Sequence, residues 1–291
     1  MNSNLQQRAN LEIMADGIED VLAANRIVAK VIGGTVSHRL IKFDLTTSAS
    51  IDQLRPLAGA IAARLSAGEV RIYNDAGAIS LEMPVPEPRL MRITQLMEEI
   101  GTVPPQTAIL GKDTKGMPLL LRIDGNVLIA GDTGSGKTAL LRTMAASLAY
   151  YNRNLNFVIV DPKIRGLKVL SRLPNANFFE CAQDAWRYAA NQIAPTVVVV
   201  DEISDCGGIP DGLFNISNLH IIASTQKAKL FNSGLYRTHI AGEMKDGYFP
   251  GTSKLMGRGD MLMFYRNEQI RFQSAWLGAN EMKELVAEVW Q

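Results

Sequence analysis

A glycine-rich turn followed by a lysine and a threonine is the strongest chemical signal in this 291-residue sequence. It matches the pattern G-x-x-x-x-G-K-[ST] and follows a short apolar run, NVLIA, at residues 126–130. Glycines let the backbone fold into a nest of N–H groups for phosphate oxygens, and the following helix contributes its positive N-terminal end. The predicted phosphate-binding loop (P-loop) consists of Gly131, Asp132, Thr133, Gly134, Ser135, Gly136, Lys137 and Thr138.

Two side chains of this loop suit a nucleotide and its metal ion. Lys137 can contact the β- and γ-phosphates of ATP, and the Thr138 hydroxyl can bind Mg²⁺. The alternative is an ordinary glycine-rich turn without a ligand. A buried strand before the loop and a helical pattern after it favour nucleotide binding, so ATP and Mg²⁺ are the predicted cofactors.

Two carboxylates end the apolar run TVVVVDE at residues 196–202. A buried strand that delivers Asp201 and Glu202 at its carboxyl end is what a Walker B segment requires. Asp201 would hold Mg²⁺ through water, and Glu202 would polarise the attacking water. The alternative is that both residues only cap the next loop. Beside an intact P-loop, the second carboxylate indicates hydrolysis rather than passive nucleotide holding.

A third apolar strand, HIIASTQ at residues 220–226, ends in a polar side chain. The amide of Gln226 is a candidate to sense the γ-phosphate or to orient water. The alternative is a polar residue that merely terminates a strand.

Composition excludes several classes of protein. Apolar residues make up 47% of the chain and charged residues 20%, and the formal net charge is +1. Binding of a polyanion through bulk positive charge is therefore not expected. The two cysteines, Cys181 and Cys206, are far apart, which argues against a disulfide framework and suits a reducing compartment. The sequence has no apolar run near the roughly 18 residues of a membrane span and no signal core, so we expect a soluble cytoplasmic protein.

Composition and hydrophobic patterning along the chain predict three parts. Residues 1–21 form a helical segment, residues 22–120 a small α+β domain, and residues 121–291 an α/β domain that contains the P-loop. From residue 126 the strands are short and apolar without polar alternation. This pattern is typical of a parallel sheet covered on both faces.

Further motifs resemble the motor region of the FtsK/SpoIIIE family of DNA translocases. They occur in the family's order over residues 18–280. The first segment, residues 18–45, resembles the start of the family's β-domain. The other four are ILGKDTKGMPLLLRI (109–123), VIVDPK (158–163), ASTQ (223–226) and LMGRGDMLMF (255–264).

The resemblance implies a RecA-like ATPase domain that assembles into a hexameric ring with double-stranded DNA in its central pore. It also implies that Asp161 and Lys163 lie beside the nucleotide. Ring ATPases generally need a cation supplied by the neighbouring subunit, and the motif-matched candidates are Arg237 and Arg258. The alternative for each is an ordinary surface arginine.

The sequence also departs from the family. We expect no membrane-anchoring region, no long linker and no winged-helix domain, and the connections on both sides of the VVVVDE strand are shorter than usual. We therefore predict a compact translocase that serves a mobile element, plasmid or virus, with a membrane or packaging protein as a further partner. One rival function is conjugative transfer or protein secretion by a related motor. Another is a module that binds ATP mainly to assemble.

Basic residues that could touch DNA phosphates lie in three segments, and the alternative for each residue is a solvated surface cation. The segments contain Lys163, Arg165, Lys168 and Arg172, then Lys227 and Lys229, and finally a glycine-rich loop at residues 242–257.

Overall fold

The computed structural model describes residues 2–37, 39–75, 77–86, 88, 90–164, 166–227, 234–245, 249–266 and 268–289. Among them, no helix combines the length and the apolar character needed to cross a membrane. Internal contacts separate two compact units, Met1–Arg89 and Leu90–Gln291. The smaller unit includes the N-terminal helix. The predicted domain limits at residues 21/22 and 120/121 stay predictions.

The smaller unit packs helices on one antiparallel sheet with the strand order β1-β2-β4-β3. Alternate residues of the second strand (Ile41, Phe43 and Leu45) are buried, because one face of this sheet covers the core of the unit. Ile18 and Leu22 of the first helix are fully buried in the same core. Its elements are α1 (Asn2–Ala24), β1 (Ala29–Val36), β2 (Leu40–Thr47), α2 (Ile51–Leu54), α3 (Ala58–Arg64), β3 (Arg71–Asp75) and β4 (Ala78–Pro84).

The larger unit is built on a single sheet, to which the described residues contribute ten strands. The strands are β5 (Thr107–Asp113), β6 (Pro118–Arg122), β7 (Val127–Ala130), β8 (Asn156–Val160), β9 (Ala176–Phe179), β10 (Thr196–Val200), β11 (Leu219–Thr225), β12 (Thr238–Ala241), β13 (Asp260–Tyr265) and β14 (Glu268–Ser274). The helices are α4 (Ile93–Ile100), α5 (Lys137–Tyr151), α6 (Ala182–Ala190) and α7 (Ala279–Val289).

The strand order is β6-β5-β14-β13-β12-β7-β11-β10-β8-β9. Six neighbouring strands, from β12 to β9, are parallel, and β13, β14, β5 and β6 extend the sheet in antiparallel fashion. The P-loop strand β7 and the acid-bearing strand β10 are not adjacent, because β11 lies between them. The carboxyl ends of these three strands therefore meet at one edge of the sheet.

Two hydrophobic clusters cover the two faces of this sheet. Every residue of β10 is buried, and its side chains divide between the clusters: Val197 and Val199 on one face, Val198 and Val200 on the other. Burial on both faces explains why the strands are apolar without alternation. The predicted α/β fold class with a parallel-rich sheet is confirmed.

The connection from β10 to β11 is short. Parallel strands are usually joined through an α-helix. Here residues 201–218 contain two 3₁₀ turns, Ile203–Cys206 and Asp211–Asn215. Asp201 and Glu202 lie between the end of β10 and the first of these turns.

Candidate nucleotide-binding site

The P-loop joins β7 to α5, as its motif predicts. The φ angles of Gly134 and Gly136 are +89° and +107°, a region that side chains other than glycine rarely adopt. A Cβ atom at Gly136 would also lie 2.7 Å from the backbone nitrogen of Gly259. Glycine at residue 136 is therefore required both for the turn and for the close approach of a second segment.

Lys137 begins α5 and is 8% exposed. Its Nζ donates hydrogen bonds to the carbonyl oxygens of Gly131, at 2.7 Å, and Asp132, at 3.0 Å. The ammonium group is thus held against the loop that is predicted to bind phosphate.

Two segments distant in sequence brace the P-loop. The backbone nitrogen of Asp132 donates to the Glu243 carbonyl at 2.8 Å, and the Asp132 carboxylate accepts the Lys245 N–H at 3.0 Å. On the other side, the Gly259 N–H donates to the Ser135 carbonyl at 2.7 Å. Asp132 therefore shapes the loop. Sequence analysis missed Glu243 and Lys245 in this role, because its only signal there was a glycine-rich stretch.

Asp201 follows β10 and is 5% exposed. The Thr138 hydroxyl lies 3.1 and 3.0 Å from its two carboxylate oxygens, and the Ser224 hydroxyl donates to Oδ1 at 2.8 Å. Burial raises the pKa of Asp201, and these hydrogen bonds lower it in part. The structure thus brings together the two residues predicted to bind Mg²⁺.

Glu202 is buried and has an unusual backbone, with φ +59° and ψ +90°. Its Oε1 accepts hydrogen bonds from the Ser204 hydroxyl and from the Gln226 N–H, the latter at 3.3 Å. Its Oε2 is buried and has no hydrogen-bond partner among the described residues. Strained backbone of this kind persists where the surroundings over-determine it, commonly at functional sites.

Gln226 follows β11 and lies at the same edge of the sheet. The contact that the structure shows is made by its backbone N–H with Glu202, and the residue is exposed. The predicted role of its side-chain amide stays a prediction.

A third carboxylate, Asp161, lies at the end of β8 and is 1% exposed. It accepts the N–H groups of Gly166 and Leu167, both at 3.0 Å, and so holds the turn after β8. Lys163 forms an ion pair with Asp205 in the 3₁₀ turn after β10. Arg165 and Lys229, two of the candidate DNA contacts, lie outside the described residues, as do residues 246–248 of the third segment.

Arg142 is a charged residue of this region that sequence analysis missed. It lies one helical turn after Thr138, a spacing that places both side chains on one face of α5. Burial lowers the pKa of Arg142, while the carboxylates of Asp201 and Asp161 raise it. A Cβ atom at Gly166 would lie 2.7 Å from Thr138 Cγ2 and 2.8 Å from Arg142 Nη2. The turn after β8 therefore packs directly on these two side chains.

The two candidate trans-acting arginines lie in different places. Arg237 precedes β12, and its guanidinium lies 3.3 Å from the carboxylate of Asp124. Because the four residues of β12 pair with β7 in parallel, roughly 13 Å of strand separates Arg237 from the P-loop edge. Arg258 instead lies beside its own P-loop, where its N–H donates to the Gly134 carbonyl at 3.3 Å. The trans role stays a prediction for both.

The donor set fits a nucleotide phosphate chain and a hard metal ion. The loop offers backbone N–H groups and one ammonium group, and a hydroxyl with a carboxylate suits Mg²⁺, which prefers oxygen ligands. Within the described residues, no group of three or more histidine, cysteine or acidic side chains forms a separate metal cluster. Thr138 and Asp201 are accordingly the residues that would hold the ion, together with phosphate oxygens.

Known proteins resemble this chain in sequence and in fold. Residues 97–191 match the model of the FtsK/SpoIIIE family. The chain is 23% identical to a DNA translocase FtsK of Caldanaerobacter subterraneus, a match that covers 94% of this chain and 48% of the relative. It is 30% identical to that of Vibrio parahaemolyticus, over 59% of this chain and 18% of the relative. The chain thus spans about half, or less, of the length of these curated relatives.

Solved structures show the same fold at low sequence identity. The monomer form of the pCW3 conjugation coupling protein TcpA with ATPγS superimposes with a TM-score of 0.60 and 11% identity, over 94% of this chain and 99% of TcpA. The cytoplasmic domain of EssC superimposes with a TM-score of 0.55 and 14% identity, over 67% and 49% of the two chains. The chain therefore resembles FtsK DNA translocases over most of its length, and residues 97–191 match the FtsK/SpoIIIE family model.

Proposed function

We propose that this chain hydrolyses ATP with Mg²⁺ and uses the free energy to move double-stranded DNA. The observation that carries the hydrolysis step is the convergence of a P-loop lysine, a Thr138–Asp201 pair and a buried Glu202 at one sheet edge. These groups lie in the segments that follow strands β7 and β10, which are not neighbours. A structural role alone does not account for two buried carboxylates beside a phosphate-binding loop.

Glu202 acts on the water in the proposed mechanism. Because its Oε1 is held by Ser204 and Gln226, its orientation is fixed, and Oε2 accepts a hydrogen bond from the attacking water. Lys137 exchanges its two loop carbonyls for oxygens of the β- and γ-phosphates. Mg²⁺ held by Thr138 and Asp201 would supply further neutralisation of phosphate charge.

The remaining charge compensation comes from a neighbouring subunit in the proposed ring, which we expect to be a hexamer. Arg237 is the better candidate of the two arginines, because it lies at the sheet edge opposite its own P-loop and is half exposed. Arg258 packs on its own P-loop, which favours a role within the subunit.

The choice of DNA as cargo rests on the relatives, which are DNA translocases by name. With a net charge of only +1, contact with phosphates must be local. Lys168 and Arg172 lie in the 3₁₀ segment after β8, and Lys227 lies just after β11. Lys168 is 3.5 Å from Glu180, an exposed pair that phosphate can displace. We further propose that the motor serves a mobile element, plasmid or virus.

The test is the steady-state ATPase rate of the purified chain with and without linear duplex DNA. We expect stimulation by duplex that weakens as salt rises, because phosphate contacts release counterions. Lys137→Ala should abolish turnover, and Lys283→Ala on the exposed face of α7 is the matched control. If the ATPase rate depends on Lys137 but does not change with double-stranded or single-stranded DNA, only the proposal that DNA is the cargo is overturned, and a protein cargo becomes the better explanation. A rate that Lys137→Ala leaves intact would overturn the site.

A further inference from the structure

Ser224 lies between the P-loop, which follows β7, and the two carboxylates Asp201 and Glu202, which follow β10. It lies on β11, the strand between β7 and β10, and is fully buried. It pairs with Ile129 of the P-loop strand. Its preceding residue pairs with Val200, the last residue of β10, so Ser224 lies opposite the first of the two carboxylates.

The Ser224 hydroxyl acts both as a donor and as an acceptor, and its two partners are Asp201 and Glu202. It donates to Asp201 Oδ1 at 2.8 Å and accepts the Glu202 N–H at 2.9 Å. A single oxygen thus ties the side chain of one acid to the backbone of the next. We propose that Ser224 is a positioning residue that sets the relative placement of the Asp201 and Glu202 carboxylates for Mg²⁺ binding and water activation.

The backbone of Glu202 explains why such a tie is needed. A φ of +59° at a residue other than glycine is unfavourable and persists only when the surroundings impose it. The hydrogen bond from its N–H to Ser224 is one such constraint, and it is buried, where a lost partner is not replaced by bulk water. Alanine at residue 224 removes this constraint and also removes the 2.8 Å hydrogen bond to Asp201 Oδ1.

Ser147 offers a matched control elsewhere in the same unit. It is also fully buried, and its hydroxyl accepts the Ile109 N–H at 3.0 Å and donates to the Met144 carbonyl at 3.1 Å. Like Ser224→Ala, Ser147→Ala therefore removes one donated and one accepted hydrogen bond, but neither of its bonds involves Asp201 or Glu202. Any loss that both variants share reflects the stability of the fold.

The inference rests on the proposed ATPase function, so the experiment has one readout with turnover and one without. The first readout is kcat and KM for ATP. The concentration of active sites used to calculate kcat is measured separately by titration with a fluorescent ATP analogue. We expect Ser224→Ala to lower kcat about 10- to 100-fold with KM within about threefold, as misplacement of a catalytic group does. The second is the ratio of the analogue's Kd in EDTA to its Kd in Mg²⁺, which should fall several-fold. Ser147→Ala should keep both near the wild-type values.

Each outcome separates the two proposals. Equal effects of Ser224→Ala and Ser147→Ala on kcat and on the Kd ratio would overturn the positioning role and leave the ATPase proposal standing. If the wild-type chain binds the analogue with Mg²⁺ but does not turn ATP over, hydrolysis is wrong, and the Kd ratio still decides the role of Ser224. If the wild-type chain binds no nucleotide, both proposals fail.

Discussion

The Thr138 hydroxyl lies 3.1 and 3.0 Å from the two carboxylate oxygens of Asp201, although 63 residues separate them in the chain. Thr138 is the second residue of the P-loop helix α5, and Asp201 directly follows β10, which lies two strands from β7 in the sheet. The contact joins the two halves of the site. Four predictions test this arrangement and its supports.

The buried carboxylate of Asp201 should cost stability at neutral pH. Its pKa is raised by burial above the usual 3.8, so the folded chain holds the proton more tightly than the unfolded chain. The stability linked to this proton is complete below the pKa of the unfolded chain and is lost as pH rises through the raised pKa of the folded chain. In EDTA, Asp201→Asn should therefore melt above wild type at neutral pH, with the difference shrinking as pH falls to about 4.

The control for this prediction is Asp184→Asn on the exposed surface of α6, which should change the melting temperature little at any pH. Asp201→Asn should also lose Mg²⁺-dependent nucleotide affinity, because an amide replaces a charged ligand. An Asp201→Asn chain that melts below wild type at neutral pH would contradict the assigned cost of burial.

Glu202→Gln separates nucleotide binding from turnover. The amide keeps the size of the side chain but cannot accept a proton from water, so ATPase turnover should fall about 10²- to 10⁴-fold. Affinity for a fluorescent ATP analogue with Mg²⁺ should stay within about threefold, a change near 0.7 kcal/mol. Glu99→Gln, in a half-exposed pair with Lys112, is the control and should leave both quantities unchanged. Negligible turnover that Glu202→Gln leaves unaltered would instead support an assembly module that binds ATP without using it, and substantial turnover that Glu202→Gln leaves unaltered would contradict the role of Glu202.

Gly166→Ala tests the close packing beside Thr138. The added Cβ would approach Thr138 Cγ2 and Arg142 Nη2 to 2.7 and 2.8 Å, so the turn after β8 must shift. We expect a loss of about tenfold in Mg²⁺-ATP affinity, which is about 1.4 kcal/mol. Gly68→Ala is the control, because its Cβ would meet nothing within 4 Å. Equal affinities of the two variants, measured by titration with a fluorescent ATP analogue, would show that this packing does not matter for the site.

The ion pair between Arg271 and Asp260 holds the segment next to Arg258 and Gly259, the two residues whose N–H groups donate to the P-loop. Arg271 donates from Nε and Nη2 at 3.0 and 2.8 Å, and Asp260 is 5% exposed and also accepts the Met256 N–H. Arg271→Ala leaves this carboxylate without its counter-ion and should lower the free energy of unfolding by about 3 kcal/mol. Urea unfolding measures the change.

Arg187→Ala serves as the comparison for that variant. Arg187 pairs with Asp184 on α6, and its side chain is 76% exposed, so its removal should cost less than about 1 kcal/mol. A loss in Arg271→Ala as small as that of Arg187→Ala would mean that the Asp260 carboxylate finds other partners.

Sequence alone determined the fold class and the contiguous parts of the site. The P-loop is eight successive residues that leave β7 and enter α5, so its position is evident from a local pattern. The four valines at residues 197–200 are successive apolar residues because both faces of β10 are buried, and this pattern is visible in the sequence alone. Asp201 and Glu202 directly follow this run, which made them visible as candidates.

Only the tertiary structure decided which other residues join them. Ser224 contacts the acidic pair because β11 lies between β7 and β10 in parallel register, and no local pattern encodes that strand order. Arg142 and Gly166 meet because α5 packs against the turn after β8. The sequence predicts a role for the side-chain amide of Gln226, yet the contact with Glu202 is made by the backbone N–H of Gln226. Contacts of this kind depend on strand order and register between distant segments, which short-range sequence patterns do not contain.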